Sequence, residues 1–201
     1  MDPHVMEARW ARLTALLRPI HGQALATARR LSRSNDEGND LYQEAVLRAF
    51  QRLDGLREES RFRSWFFAVL LNRHRSRARL AVRDPVPLEG ALAPGEEPAG
   101  EDGSSWDEER WRAERAARAL ARLAPVEREA VVLFDIEGFS IAETAELQQA
   151  SQSAVKSRLA RGREKLRRFY RALEGNLSAP RRYRATADPD ARVLHAPGES
   201  S

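Results

Sequence analysis

The chain contains no cysteine among its 201 residues, and this absence removes several classes of function at once. It excludes disulfide bonds, thiolate zinc sites and cysteine nucleophiles. No apolar run approaches the roughly 20 residues that a membrane-spanning helix needs, so direct membrane insertion is not expected. The first residues, Met1-Asp2-Pro3-His4, lack the basic and apolar regions of a secretory signal. We therefore expect a cytoplasmic protein.

Residues with catalytic chemistry are also sparse. The four histidines are scattered, without the spacing of a metal site or a catalytic triad, at His4, His21, His74 and His195. No glycine-rich phosphate-binding loop is present. We therefore expect no enzymatic activity, no cofactor and no metal site.

Lysine is rare as well, since Lys156 and Lys165 are the only two and arginine supplies the rest of the 34 basic residues. The charge is unevenly distributed along the chain. Residues 1–80 carry 15 basic and 9 acidic side chains, residues 81–111 carry 2 and 9, and residues 112–174 carry 13 and 9. Two basic segments therefore flank an acidic one, as expected when each basic segment faces a polyanion.

These charge boundaries coincide with changes in composition that divide the chain into four segments. Residues 5–80 form a first lobe and residues 112–174 a second lobe, and both are predicted to be helical because strict apolar alternation is missing. Residues 81–111 are acidic and rich in proline and glycine, which predicts a flexible linker. Residues 175–201 are similar and are predicted to be a disordered tail. The expected fold is all-α, with two small helical domains.

The first lobe is predicted to contain three helices. The first covers residues 5–31 and is interrupted at Pro19, because an interior proline loses a hydrogen bond and clashes with the preceding turn. The second begins at Asp40 and the third covers residues 62–79. The second helix carries an apolar stripe at helical spacing, formed by Ala45, Val46, Ala49, Phe50 and Leu53.

The second lobe has the spacing of a helix-turn-helix. A short helix over residues 141–148 begins at a capping box of Ser140 and Glu143, and the turn 149–151 follows. A basic helix then covers residues 152–170, and in this motif the second helix enters the major groove. Arginine-rich faces are often merely solvated, but the short helix and turn before this one favour DNA binding.

Particular motifs carry a resemblance to a known family. In the first lobe they are Asn39-Asp40-Leu41-Tyr42-Gln43-Glu44, Phe62-Arg63-Ser64-Trp65-Phe66 and Asn72. In the second lobe they are residues 123–131, Glu137-Gly138-Phe139-Ser140 and residues 155–163. In this order they resemble regions two and four of the extracytoplasmic-function (ECF) group of bacterial sigma factors. The resemblance implies a protein that joins core RNA polymerase, directs it to promoters and helps to open the duplex.

The resemblance also implies the partners of the chain. One exposed face of the second helix would dock on the β′ clamp of the polymerase, and region four would contact the β flap. The candidate docking residues are Asp40, Gln43, Glu44 and Arg48. The alternative for this face is an ordinary solvated surface. Family members are usually held inactive by an anti-sigma factor, so a partner of that kind is expected.

Region two is expected to bind the minus-ten promoter element as double- and single-stranded DNA. The loop 56–61 would capture a flipped base, while arginines hold phosphates. The candidates are Arg57, Glu59, Ser60, Arg61, Asn72, Arg73, Arg75 and Arg79. Region four is expected to read the minus-thirty-five element from the N-terminal half of its last helix. The candidates there are Arg128, Gln152, Ser153, Lys156, Ser157, Arg158 and Arg161.

The sequence departs from the family pattern at several places, which include Thr144 and the tail beyond Gly175. Gln149 and Ala150 occupy the helix-helix turn, where the family commonly has glycine and an aliphatic residue. A glutamine with positive φ would cost on the order of 1 kcal/mol relative to glycine. Ser76 and Arg77 stand where an Asp-Arg pair is frequent, and neither is a candidate for a DNA contact.

Other functions remain open at this point. A helix-turn-helix regulator would bind duplex DNA without docking on core polymerase, although residues 39–79 argue against it. An interaction module would bind polymerase without DNA, although the basic final helix argues against that. The carboxylates of the linker would either mimic RNA phosphate in the polymerase or form a solubilising tether.

Overall fold

The computed structural model describes residues 3–83 and 105–178, and every regular element in these two ranges is helical, which confirms the all-α fold. The first lobe contains α1 (Pro3–Leu17), α2 (His21–Leu31), α3 (Asn35–Arg52) and α4 (Phe62–Arg83), with short helical turns at Leu53–Gly55 and Glu59–Arg61. The second contains α5 (Ser105–Ala121), α6 (Pro125–Val131), a π-helical turn (Val132–Ile136), α7 (Ile141–Gln148) and α8 (Gln152–Ser178). None of these helices is long and apolar enough to cross a membrane.

The first helical segment is divided where the sequence places the break. α1 ends at Leu17 and α2 begins at His21, so Pro19 lies in the turn between them. The third helix, in contrast, begins earlier than the expected start at Asp40. Its cap is Ser34, whose hydroxyl accepts the backbone N–H of Glu37 at 3.1 Å.

The buried face of α3 is centred on small residues because α2 lies directly against it. Leu41, Ala45 and Ala49 are fully buried, as is Leu53 in the turn directly after this helix. Val46 and Phe50, which the sequence placed in the same stripe, are only half-buried at its edge. A Cβ atom on Gly38 would lie 2.5 Å from the backbone of Arg29 in α2, so this close approach tolerates no side chain there.

The helix α4 has apolar residues on two faces, and both faces are packed against other helices. Phe62, Phe66 and Leu70 belong to the core of the first lobe. Phe67 is also fully buried, and its ring meets the ring of Phe139 in the second lobe edge to face, with 5.0 Å between centroids. α4 therefore serves as the wall between the two lobes.

The local signals of the second lobe are confirmed at the backbone level. Ser140 accepts the N–H of Glu143 at 3.2 Å, and Glu143 accepts the N–H of Ser140 at 2.8 Å, which completes the capping box. Gly138 has a φ of 73° and Gln149 a φ of 51°, so the glutamine does adopt the left-handed conformation. A Cβ atom on Gly162 would lie 2.9 Å from Val131, which shows how closely α8 crosses α6.

The helices extend further than the segment boundaries drawn from composition. α4 continues to Arg83 and α5 begins at Ser105, so both ends of the expected linker, residues 81–111, are helical. α8 continues to Ser178, which places helix in the first part of the expected tail, residues 175–201. Alanine, arginine and glutamate, the strong helix formers, dominate α5. The remaining residues of both segments lie outside the described ranges, as do Glu96, Glu97, Glu101 and Asp102, the linker carboxylates considered for RNA mimicry.

The two lobes are in direct contact, although the sequence indicated no more than a linker between them. α4 packs against α7, and α2 packs against α6 and the π-helical turn. Buried apolar residues from both lobes form one continuous cluster. The tertiary structure therefore brings surfaces together that are far apart in sequence.

Candidate nucleic-acid and partner interfaces

The face of α3 proposed for docking contains two freely exposed residues and two that are partly covered. Asp40 and Gln43 are exposed, whereas Glu44 and Arg48 are half-buried. Leu47 lies on the same face and leaves 59% of its surface exposed, which is high for a leucine. The sequence analysis missed Leu47, although its position two turns after Asp40 places it on that face.

Glu44 differs from Asp40 because both of its carboxylate oxygens are bound within the first lobe. Arg73 donates to Oε2 at 2.6 Å and Arg77 donates to Oε1 at 2.8 Å. Burial would raise the pKa of Glu44, but the hydrogen bonds from Arg77 and Arg73 outweigh it and hold this pKa below its ordinary value. One carboxylate thus ties the docking face of α3 to the arginines of α4.

The loop before α4 has the exposure that a base-capturing segment needs. Arg57, Glu59, Ser60 and Arg61 are all exposed. Two of them already have ion-pair partners, because Arg12 contacts Glu59 at 2.8 Å and Arg61 contacts Glu58 at 3.0 Å. Both pairs are solvent-exposed and therefore add little to stability.

An open groove of about 460 Å³ lies beside this loop. Arg57, Arg61 and the half-buried Trp65 form its first-lobe wall. Glu143 and Glu146 of α7 form part of the opposite wall. An aromatic ring beside arginines suits an unstacked base, but the facing carboxylates give this groove a mixed charge.

The α4 residues proposed for minus-ten contacts do not form one surface in this arrangement. Asn72 and Arg79 are exposed, and Arg79 donates to the hydroxyl of Ser76 on its own helix at 3.3 Å. Arg73 is bound to Glu44. Arg75 instead points to the second lobe, where it donates to Glu129 at 2.7 Å and to the carbonyl of Leu147 at 3.1 Å.

The α8 residues proposed for minus-thirty-five contacts are mostly where the sequence placed them. The exposed members are Gln152, Ser153, Lys156, Ser157 and Arg161. Arg158 is half-buried and donates to the side chain of Gln148 at 2.9 Å, so it braces α8 against α7. Arg161 donates to Ser157 at 2.8 Å along the same exposed face.

Arg128 makes protein contacts that compete with its proposed phosphate contact. Its guanidinium donates to the carbonyl oxygens of Leu120 at 2.8 Å and Ala121 at 3.0 Å, at the end of α5. It also donates to the carbonyl of Leu31 in the first lobe at 3.3 Å. Burial and the neighbouring Arg33 lower the pKa of Arg128. Phosphate binding by Arg128 stays a prediction. It would require the guanidinium to break its hydrogen bonds to these carbonyl oxygens.

Glu127 organises the basic side of the second lobe, although the sequence analysis gave it no role. It is buried, and it accepts hydrogen bonds from Lys165 at 2.7 Å and from the backbone N–H of Ala124 at 3.2 Å. Arg161 lies 3.4 Å from its second oxygen. The hydrogen bond from Lys165 is the main reason that the pKa of Glu127 is lowered. Its contribution to stability is therefore present at neutral pH and is lost as the pH falls through the lowered pKa.

Comparisons with known proteins identify both lobes. The family model described as Sigma-70 region 2 matches residues 16–83, and the model described as Sigma-70, region 4 matches residues 113–166. The ECF RNA polymerase sigma factor SigM of Mycobacterium tuberculosis is 33% identical over 167 residues, which cover 83% of this chain and 80% of that protein. EcfG of Rhodopseudomonas palustris, another ECF sigma factor, is 32% identical over 68% of this chain and 72% of its own length.

Solved structures agree with the sequence relatives. The sigma factor RpoE, in complex with the anti-sigma factor NepR from Bartonella quintana, matches with a TM-score of 0.61 and 26% identity over 77% of this chain and 94% of that chain. CnrH in complex with the cytosolic domain of CnrY gives a TM-score of 0.59 and 26% identity over 84% and 94%. The fold and both regions define a non-enzymatic transcription initiation factor. Within that class, the chain belongs to the ECF group of RNA polymerase sigma factors.

Proposed function

We propose that this chain is an alternative sigma factor whose two lobes divide the work of initiation between them. One observation carries the proposal. The same chain has an exposed face on α3 for polymerase docking and a basic helix, α8, whose exposed side chains can contact promoter DNA. Asp40 and Gln43 offer an exposed acidic and amide surface to the β′ clamp. Lys156 and Arg161 offer exposed donors to base edges and phosphates.

The minus-ten function rests on the loop before α4 and on that helix itself. Arg57, Arg61 and Trp65 line a groove suited to an unstacked base, and Asn72 and Arg79 are exposed nearby along α4. Core polymerase and promoter DNA are both cytoplasmic in bacteria, so the proposed function places the protein there.

The direct test is run-off transcription with purified core polymerase on a library of genomic promoter fragments. We expect defined start sites that require this chain and no other sigma factor. A variant carrying both Lys156→Ala and Arg161→Ala should still assemble with core polymerase but should initiate less at the same sites. If transcription begins only when a separate sigma factor is added, the chain is a helix-turn-helix regulator instead.

Control by an anti-sigma factor is the second part of the proposal. It is supported by the two structural relatives, RpoE and CnrH, which were solved with NepR and with the cytosolic domain of CnrY respectively. We expect such an inhibitor to prevent holoenzyme formation by this chain. Gel filtration of the chain, core polymerase and a purified candidate inhibitor measures this displacement. A candidate that leaves the holoenzyme peak unchanged is not the regulator.

A further inference from the structure

A buried glutamine lies where the helices α6, α7 and α8 of the second lobe meet. Gln148 is the last residue of α7 and is 7% exposed. It follows Ile141, Thr144 and Ala145 at the spacing of the packed face of that helix. This position suits an apolar side chain, because a buried amide is unfavourable unless it is hydrogen-bonded. The amide must therefore form hydrogen bonds that offset its burial.

The amide of Gln148 forms these bonds to both neighbouring helices. Its Nε2 donates to the backbone carbonyl of Val126 in α6 at 2.9 Å and lies 3.4 Å from Oε2 of Glu129 on the same helix. Its Oε1 accepts a hydrogen bond from Nη1 of Arg158 in α8 at 2.9 Å. A carbonyl can only accept and a guanidinium can only donate, so these partners fix the orientation of the amide. Gln148 thereby holds the guanidinium of Arg158 in place relative to α6.

Arg158 keeps donors that the protein does not use. Its side chain is half-buried, and the bond to Gln148 is the one hydrogen bond of its guanidinium among the residues that the structure describes. No nitrogen of this guanidinium is both buried and unbonded, so the remaining N–H groups reach solvent. Because the guanidinium is planar and rigid, anchoring one N–H sets the direction of the others.

The position of Arg158 on α8 suits a contact with a phosphate better than a contact with a base. The exposed residues proposed for the minus-thirty-five element, among them Lys156 and Arg161, lie on the outer side of the helix. Arg158 lies on the flank that packs against α7. When the outer side of a helix enters the major groove, its side chains reach base edges, whereas a flank faces the phosphates on the rim of the groove.

We propose that Gln148 is a positioning residue for promoter binding, which orients the guanidinium of Arg158 towards a phosphate beside the minus-thirty-five element. Gln148 itself does not touch DNA. The phosphate contact anchors α8 on the duplex, while Lys156 and Arg161 contact base edges. The proposal rests on the sigma-factor function given above, and it assigns a role to a residue that the sequence analysis did not select.

The test uses holoenzyme assembled from core polymerase and the full-length chain, with a promoter found by the run-off assay. Gln148→Met keeps the length of the side chain and removes all of its hydrogen bonds. Gln149→Met is the matched control, because it makes the same substitution at the next residue, whose side chain is exposed. Circular dichroism and melting curves establish that each variant is folded, and Gln148→Leu repeats the test if the methionine variant does not fold.

The decisive readout is the salt dependence of closed-complex formation, measured by fluorescence anisotropy at a temperature at which the duplex stays paired. Each phosphate contact adds about one unit to the slope of log affinity against log salt, so we expect the slope to fall by about one unit in both Gln148→Met and Arg158→Ala. Binding at moderate salt should be about five- to tenfold weaker in both variants. The control should keep the slope and the affinity of the wild type.

Two further comparisons separate positioning of Arg158 from a merely structural role. Discrimination against a duplex with one altered minus-thirty-five base should equal that of the wild type in Gln148→Met, because a phosphate contact carries no sequence information. The double variant Gln148→Met with Arg158→Ala should bind like Arg158→Ala alone, since Gln148 acts through Arg158.

Three results would overturn the proposal. They are an unchanged salt slope in Gln148→Met, a loss of base discrimination in that variant, and a further loss of affinity when Gln148→Met is added to Arg158→Ala. A failure of the sigma-factor function would appear instead as absent run-off transcription by the wild type.

Discussion

The turn between α7 and α8 gives a prediction that tests backbone strain on its own. Gln149 has φ 51° and ψ 48°, and it is the one non-glycine residue with positive φ in the described ranges. Its backbone N–H bonds to Glu146 at 3.1 Å and closes α7, while its side chain is exposed. The substitution Gln149→Gly therefore removes strain and leaves the packing of the turn unchanged.

The magnitude follows from two opposing terms. The left-handed conformation costs a residue with a Cβ atom about 1–2 kcal/mol. Replacing Gln149 by glycine removes this cost. Glycine, however, loses more conformational freedom on folding, which destabilises the folded state by about 0.5–1 kcal/mol. A net increase of about 0.5–1 kcal/mol in the free energy of unfolding is expected. Because the lobes share a core, the unfolding unit has about 150 residues, and the melting temperature should rise by about 1–4 °C.

Differential scanning calorimetry of the wild type and Gln149→Gly measures this shift. Ala150→Gly is the control, because Ala150 belongs to the same turn but does not have positive φ. That control should melt at a lower temperature than the wild type, since it gains backbone entropy in the unfolded state with no relief of strain. A melting temperature of Gln149→Gly equal to or below that of the wild type would refute the reasoning.

Further substitutions test the interfaces and the packing. Arg161→Ala and Lys156→Ala should each weaken promoter binding, by about 1–3 kcal/mol for a base contact and less for a phosphate contact, and equal footprints at moderate salt would contradict this. Asp40→Lys should prevent a stoichiometric gel-filtration complex with core polymerase without changing the melting temperature. Glu44→Lys should lower the melting temperature as well, because it places a third cation beside two arginines of α4. Gly38→Ala should destabilise the first lobe by about 1–3 kcal/mol in urea titrations, because the added Cβ meets the backbone of α2.

The sequence alone determined the all-α class, most of the helices and the family, although it did not indicate where α5 begins. Helical periodicity, the break at Pro19 and the Ser140–Glu143 box each act within a few residues, so they can be recognised without a fold. The resemblance to region four also implied a turn residue with positive φ at Gln149, and the structure has it there. The motifs of both regions were sufficient to predict an ECF sigma factor, and the comparisons confirm it.

Only the tertiary structure decided what the charged side chains do. Arg75 and Arg128 were expected to contact DNA, yet each donates to the opposite lobe. Glu44 was expected on the docking face, yet two arginines of α4 hold both of its oxygens. A long flexible side chain selects its partner by proximity in space. For Arg75 and Glu129 that proximity arises only when two helices far apart in sequence pack together.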